Sequence, residues 1–253
     1  MPRVTLVEGI NLALARALAD DPDVVLIGED IGVNGGVFRA TAGLQQRFGA
    51  LRVQDTPLAE GLIGGMAVGM ASQGLKVVAE IQFMGFLYPA LDQIANHMAR
   101  MRNRTRGRLT CPVVMRMPHG GGIHAPEHHS ESLEVLLAHH AGLRVLCPSS
   151  PARTYGLLLA AIRDPDPVMF LEPTRLYRLA KQDVLDDGRA LPLDEAVVLR
   201  EGDDVTLVTW GAMVHDTLRA ADELMNEKIS CEVIDLSSLS PIDHDTILES
   251  VGH

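Results

Sequence analysis

The sequence predicts an α/β protein: a mostly parallel sheet flanked by helices, followed by a partial second α/β domain. Three observations carry this. Short continuous apolar runs, such as Val24-Val25-Leu26-Ile27 and Val113 to Met117, read as strands buried on both faces. Segments with helical apolar spacing alternate with them. Several runs end in acidic or glycine-rich loops, and ligands of such sheets lie at the carboxyl ends of the strands.

The elements follow in order. A first helix near Thr5 to Ala19 carries Leu6, Ile10, Leu14 and Leu18 on one stripe, and Thr5 with Glu8 forms a capping-box pattern. The run Val24 to Ile27 ends in Gly28-Glu29-Asp30, and a glycine-rich loop occupies Gly32 to Gly36. Glu60 opens a helical segment rich in small residues: Gly61, Gly64, Gly65, Ala67, Gly69 and Ala71. Glycine at that density weakens a helix, and close approach of another backbone is the usual compensation. A strand from Lys76 to Ile81 and a long helix from about Tyr88 to Met101 come next. The strand Val113 to Met117 leads into the loop Pro118-His119-Gly120-Gly121-Gly122. Leu143 to Leu146, a helix at Thr154 to Arg163 and a strand at Val168 to Leu171 complete the first domain, 1–180. The polar stretch 181–192 reads as a linker. Residues 193–253 supply one βαβ element, Val205 to Thr209, a helix from about Val214 to Met225 and Cys231 to Ile234. A helix from Asp243 to Val251 follows. One such element cannot bury its own faces, so it is either incomplete or leans on a partner.

Composition excludes several classes. The net charge of −11 argues against nonspecific nucleic-acid binding, which needs clustered cations. The one basic run, Arg100 to Arg108, lacks aromatic interleaving and reads as a helix end or loop. Cys111, Cys147 and Cys231 form no CxxC pair, which fits a reducing, cytoplasmic compartment better than a disulfide framework. No apolar run approaches the roughly 20 residues of a membrane span, and the N-terminus lacks signal-peptide character.

Three constellations could carry chemistry. In Asp55-Thr56-Pro57-Leu58-Ala59-Glu60-Gly61, a partly desolvated Glu60 would have a raised pKa suited to proton exchange near neutral pH. Alternatively, Glu60 is a first-turn glutamate stabilised by the helix macrodipole. In His124-Ala125-Pro126-Glu127-His128-His129-Ser130, the spacing is not HExxH, and Pro126 interrupts any helix that would align His124 with His128. A catalytic or substrate-binding histidine, a zinc site and a solvated loop all remain open. In Glu80-Ile81-Gln82-Phe83-Met84-Gly85-Phe86, Gln82 and Phe86 would line a pocket at a strand end, or simply pack there. The chain has no dinucleotide-binding GxGxxG, no Walker loop and no GxSxG. It also lacks the GDG motif with a downstream Asn-rich segment, which anchors Mg²⁺ and a diphosphate in thiamine enzymes.

These motifs, in order, resemble the β subunit of the decarboxylating component of 2-oxo acid dehydrogenase complexes. The matching stretches are Gly28 to Gly32, Gly35 to Arg39, Asp55 to Glu60, Glu80 to Phe83 with Leu91 to Ile94, Gly120 to Ser130, and Ala160 to Asp164. Phe86-Leu87-Tyr88, Met98 to Arg102 and Gly121 to Glu127 are more similar to bacterial pyruvate dehydrogenase β subunits than to branched-chain ones. The resemblance implies a transketolase-like pyrimidine-binding fold over 1–180 and the start of a transketolase C-terminal-like domain over 193–253. It implies thiamine diphosphate shared with an α subunit in an α₂β₂ assembly, with Mg²⁺ held mainly by that subunit, hence no GDG here. Glu60 would hydrogen-bond the pyrimidine and favour the tautomer that deprotonates the thiazolium carbon. Leu58, Gln82 and Phe86 would line the cofactor, with Phe86 where branched-chain relatives often carry Tyr. His129, or its neighbour His128, would orient substrate and assist acyl transfer to the lipoyl-bearing acyltransferase. Glu29 would relay protons between active sites. Val113, Ala161, Ile162, Asp164 and Asp166 match a loop that binds K⁺ largely through backbone oxygens.

The reaction so implied is oxidative decarboxylation of pyruvate. The alternatives are a branched-chain 2-oxo acid or acetoin dehydrogenase β subunit, a noncatalytic family member, and a metal hydrolase using His124, His128 and His129. Family chains continue well past a segment like Ile247 to Val251. The second domain is therefore expected to be truncated at His253, which places subunit assembly and acyltransferase docking in question.

Overall fold

A computed structural model describes residues 2–252; Met1 and His253, the residue at which truncation is expected, lie outside the described residues. The chain runs β1 (Arg3–Val4), α1 (Leu6–Asp20), β2 (Val24–Gly28), α2 (Leu44–Phe48), β3 (Val53–Asp55), α3 (Glu60–Ser72) and β4 (Lys76–Glu80). Short 3₁₀ turns (Met84–Phe86, Tyr88–Ala90), a π-helical segment (Gln93–Met98) and α4 (Met101–Arg104) follow. Next come β5 (Val113–His119), α5 (Glu134–Ala138), β6 (Arg144–Leu146), α6 (Pro151–Arg163) and β7 (Val168–Pro173). The remainder is β8 (Gln182–Asp183), β9 (Val197–Arg200), β10 (Val205–Thr209), α7 (Met213–Asn226), β11 (Cys231–Asp235), β12 (Ser238–Ser240) and α8 (His244–Val251).

The main sheet has the order β12-β6-β7-β5-β4-β2-β3 and is parallel except at β12. Its strands alternate between two cores. Leu26, Val78, Val114 and Phe170 face α1 and α6 on one side. Ile27, Val77, Met115 and Leu171 face α3 and the Tyr88–Met98 run on the other. Burial on both faces is why these strands read as unbroken apolar runs. The capping box forms as expected: the Thr5 hydroxyl accepts from the Glu8 N–H, and the Glu8 carboxylate accepts from the Thr5 N–H at 2.7 Å.

The glycines of α3 have the expected compensation. A Cβ on Gly61 would sit 3.1 Å from the Pro89 carbonyl oxygen, and one on Gly64 3.0 Å from the Gln93 Cβ. The helix expected from Tyr88 to Met101 is not one α-helix. Pro89 has no N–H to continue a helical ladder at its start. Further along, the Ala99 N–H bonds the Ile94 carbonyl, five residues back, one residue wider than an α turn.

The second unit is a three-stranded sheet, β10-β11-β9, with β9 antiparallel. It leans on the first unit. β12 pairs with β6 at the edge of the main sheet. Fully buried Asp235 accepts from the Ser149 hydroxyl at 2.5 Å and lies 3.4 Å from Arg153. Within the polar stretch 181–192, β8 pairs with β1, and Asp186 accepts from Arg16 and from the Tyr155 hydroxyl. No helix among the described residues is long and apolar enough to cross a membrane.

A charged cluster sits inside the sheet. Arg116, 1% exposed, forks onto Glu172 at 2.7 and 3.0 Å and donates to Glu80 at 2.7 Å. The Tyr177 hydroxyl adds a bond to Glu172 at 2.5 Å. These groups join β4, β5 and the β7 end. Removing one partner of a buried charge set leaves the others uncompensated, at a cost of about 3–5 kcal/mol. Arg116→Met is therefore expected to destabilise by that amount in urea unfolding. Adding Glu80→Gln and Glu172→Gln to it should recover part of the loss.

Candidate active site

The carboxyl ends of β2, β3, β4 and β5 meet along one edge of the sheet, and the side chains singled out in the sequence gather there. Glu29 follows β2. It is 6% exposed, its Oε1 has no hydrogen-bond partner among the described residues, and its carboxyl is pushed above the usual range. Burial is the main cause, and the charge of Glu60 is the next. Glu60 is the first residue of α3 and half-buried. It thus stands where the macrodipole favours a negative charge and also close enough for Glu29 to respond to it.

The loop between β2 and α2 covers this edge. Gly32 donates to Asp55 at 2.7 Å, and the Thr41 hydroxyl donates to the Ile31 carbonyl at 2.7 Å. Gly36 adopts a positive φ of 79°, and a side chain there would press on the Glu80 carboxylate at 3.2 Å. The Gln82 amide reaches the Glu29 carbonyl at 3.5 Å, a long contact that leaves most of its donor capacity free. Phe86 is partly buried, and Leu58, 81% exposed, stands at the rim. An orphaned buried carboxylate oxygen, a second carboxylate, a free amide and apolar walls suit a flat heterocycle that offers both donors and acceptors.

His129 approaches from the loop after β5. Its ring packs edge-on against Phe83 and Phe86, with centroids 4.5 and 5.2 Å away. Its Nδ1 lies 2.9 Å from the Glu127 carbonyl oxygen. His128 is exposed and lies 3.8 Å from Glu127. Among the described residues no group of three or more His, Cys, Asp or Glu could hold a metal ion. The structure therefore does not gather His124, His128 and His129 into the zinc site considered from the sequence; His129 turns to the aromatic wall instead.

Val113, Ala161, Ile162, Asp164 and Asp166 lie elsewhere, around the entry to β5 and the C-terminus of α6. The Asp164 carboxylate is 3.2 Å from Arg144, and that of Asp166 accepts from Arg102 at 2.6 Å. Side-chain charge here is committed to guanidinium groups.

Sequence reasoning missed His119 and Cys147. The His119 Nε2 is 3.2 Å from the Cys147 Sγ, and its buried Nδ1 has no partner among the described residues. Burial drives the imidazole down to about 4 and the thiol well up, so both are neutral at pH 7. This is not an activated cysteine–histidine pair. Nothing in the spacing of these two residues announces the contact.

Comparison with known proteins adds the following. Residues 3–180 match the family model of the transketolase pyrimidine-binding domain, and residues 194–253 that of the transketolase C-terminal domain. The chain is 53% identical over 251 residues to the pyruvate dehydrogenase E1 component subunit beta of Acholeplasma laidlawii. It is 52% identical to that of Bacillus subtilis and 48% to that of Staphylococcus aureus. Each alignment covers 99% of this chain and 77% of the relative. A solved structure described as a split gene transketolase, inactive beta4 tetramer, superposes over 99% of this chain and 77% of that one. Its TM-score is 0.82 at 24% identity, which shows the shared fold.

Two buried groups give opposite pH dependences. His119 titrates at about 4 in the folded chain against an ordinary 6.5, so its contribution is complete above 6.5 and lost as pH falls through 4. The loss is on the order of 3 kcal/mol. Glu29, raised by folding, instead costs stability as pH rises through its folded pKa. In urea unfolding at pH 7 and pH 4, His119→Gln is expected to flatten the acid side. Glu29→Gln should stabilise at pH 7 and have less effect at pH 4.

Proposed function

We propose that this chain, which belongs to the transketolase family and within it to the β subunits of pyruvate dehydrogenase E1 components, supplies the pyrimidine half of a thiamine diphosphate site. The other half comes from an α subunit in an α₂β₂ assembly, and the pair carries out oxidative decarboxylation of pyruvate. The observation that carries this reading is the coupled carboxylate pair: Glu60 on the first turn of α3, and buried Glu29 with an orphaned oxygen beside it.

Leu58, Gln82, Phe86 and Glu60 would hold the aminopyrimidine ring, Gln82 by its amide and Phe86 as a wall. Bound there, thiamine diphosphate would supply an acidic carbon and an electron sink for loss of CO₂ from a 2-oxo acid. Glu60, on the first turn of α3, would hold and return a proton at the ring. Glu29, its carboxyl pushed up by burial and by the Glu60 charge, would extend the relay. His129 orients substrate and assists passage of the acyl group to the lipoyl group of an acyltransferase, whose disulfide is reduced as the thioester forms. The α subunit holds Mg²⁺ and the diphosphate, since the GDG anchor has no counterpart here.

Phe86 and its neighbours, more similar to bacterial pyruvate dehydrogenase β subunits than to branched-chain ones, support pyruvate as the substrate over branched-chain 2-oxo acids. The presence of Glu29, Glu60, Gln82 and His129 on one edge argues against a noncatalytic role. K⁺ would be held mainly by backbone oxygens of Val113, Ala161 and Ile162, with Asp164 and Asp166 nearby. We retain the division into a pyrimidine-binding domain (1–180), a connecting stretch (181–192) and a C-terminal unit (193–253). The three free, buried cysteines suit a reducing cytoplasm.

The test uses the chain assembled with its α subunit, thiamine diphosphate and Mg²⁺. Glu60→Gln is expected to lower turnover by roughly 10²- to 10⁴-fold while leaving subunit association and the thermal midpoint unchanged. Normal turnover would remove Glu60 from the mechanism. Pyruvate should give a higher kcat/KM than branched-chain 2-oxo acids, and the reverse order would reassign the substrate.

A further inference from the structure

We infer that the segment just after β4 is the positioning element for His129: Phe83 supplies the surface its ring rests on, and Gly85 the space its loop needs. The inference rests on the reading of His129 given above.

The space at Gly85 is specific. A Cβ there would lie 2.0 Å from the His128 carbonyl oxygen and 2.8 Å from its carbon. Those are backbone atoms, so a rotamer change cannot relieve the overlap. The loop passes here with His128 at a φ of +69°, which turns the chain and delivers His129 inward. Both ends of the loop are pinned: the Gly120 N–H donates to the Glu131 carbonyl at 2.9 Å, and the Leu133 N–H to the Met84 sulfur at 3.2 Å.

Phe83 is 9% exposed and does not move freely. Its ring meets Phe38 at 5.3 Å, and Phe38 meets Tyr177 at 4.9 Å, both edge-on. Tyr177 is anchored on Glu172 of the buried charge cluster. The face that holds His129 is thus built back to the buried charge cluster of the sheet. Edge-to-face contacts of this kind orient a ring as well as hold it.

The geometry also assigns the working nitrogen. A carbonyl oxygen can only accept, so Nδ1 facing Glu127 carries the hydrogen. In the neutral ring Nε2 is then the bare acceptor, open to a hydrogen-bond donor of the reacting group.

The experiment compares variants in the assembled holoenzyme, measuring acylation of a free lipoyl domain and, separately, the KM for pyruvate. Phe83→Leu and Gly85→Ala are expected to slow acylation by about 10- to 100-fold with the pyruvate KM changed less than twofold. Phe83→Tyr, which keeps the ring, should restore most of the rate. His129→Ala is the reference. If it acylates normally, the role of His129 itself falls. If it is slow while Phe83→Leu and Gly85→Ala are normal, only the positioning inference falls. Should Gly85→Ala fail to assemble, the Phe83→Leu and Phe83→Tyr pair decides: equal rates in the two overturn it.

Discussion

One guanidinium, sealed inside the sheet, constrains much of what surrounds it. Arg116 meets two carboxylates, one of which also accepts from the Tyr177 hydroxyl, and all of these groups are buried. Two carboxylates against one cation leave the set short of positive charge. Burial accordingly pushes the Glu80 carboxyl upward, and Arg116 opposes that shift. Such a set tolerates little displacement, because each charge is compensated only while the hydrogen-bond geometry holds. Glu80 pairs in register with Arg116 across β4 and β5, and Glu172 stands on β7, which is paired with β5. The three central strands are therefore held in register close to the edge where the site lies.

From that cluster outward the site is assembled in layers. Tyr177, Phe38 and Phe83 carry the rigid interior to His129. Gly36 lets the β2–α2 loop close over Glu80. Glu29, with Glu60 beside it, has a buried oxygen with no partner among the described residues, and burial raises its carboxyl above the usual range. Groups left unsatisfied in a folded chain mark places where stability is given up for function. Leu58 is exposed and Glu60 half-buried at this edge, which leaves both open to the second subunit proposed above.

The second unit is not an independent appendage. It lends β12 to the main sheet and places Asp235, fully buried, against Ser149 and Arg153 at the start of α6. A small α/β unit whose own apolar cluster is limited to residues such as Ala221, Cys231 and Val233 gains most from such borrowing.

What the amino-acid order determined by itself is local. Val24 to Ile27 reads as a strand buried on both faces, Thr5 and Glu8 as a helix start, and the glycines after Glu60 as a close-packed helix face. Each of these depends on residues within a turn or a few positions, where periodicity and capping operate. The motif order also marked the residues that meet at the sheet edge. Tertiary structure alone decided the rest. It joined β12 to β6, widened Gln93–Met98 into a π turn, set His119 against Cys147, and turned His129 onto Phe83 while leaving His124 and His128 out of any metal site. Apart from the π turn, those contacts link residues tens of positions apart. Their energies depend on which surfaces the fold brings together and how much water it excludes, and no local pattern encodes either quantity.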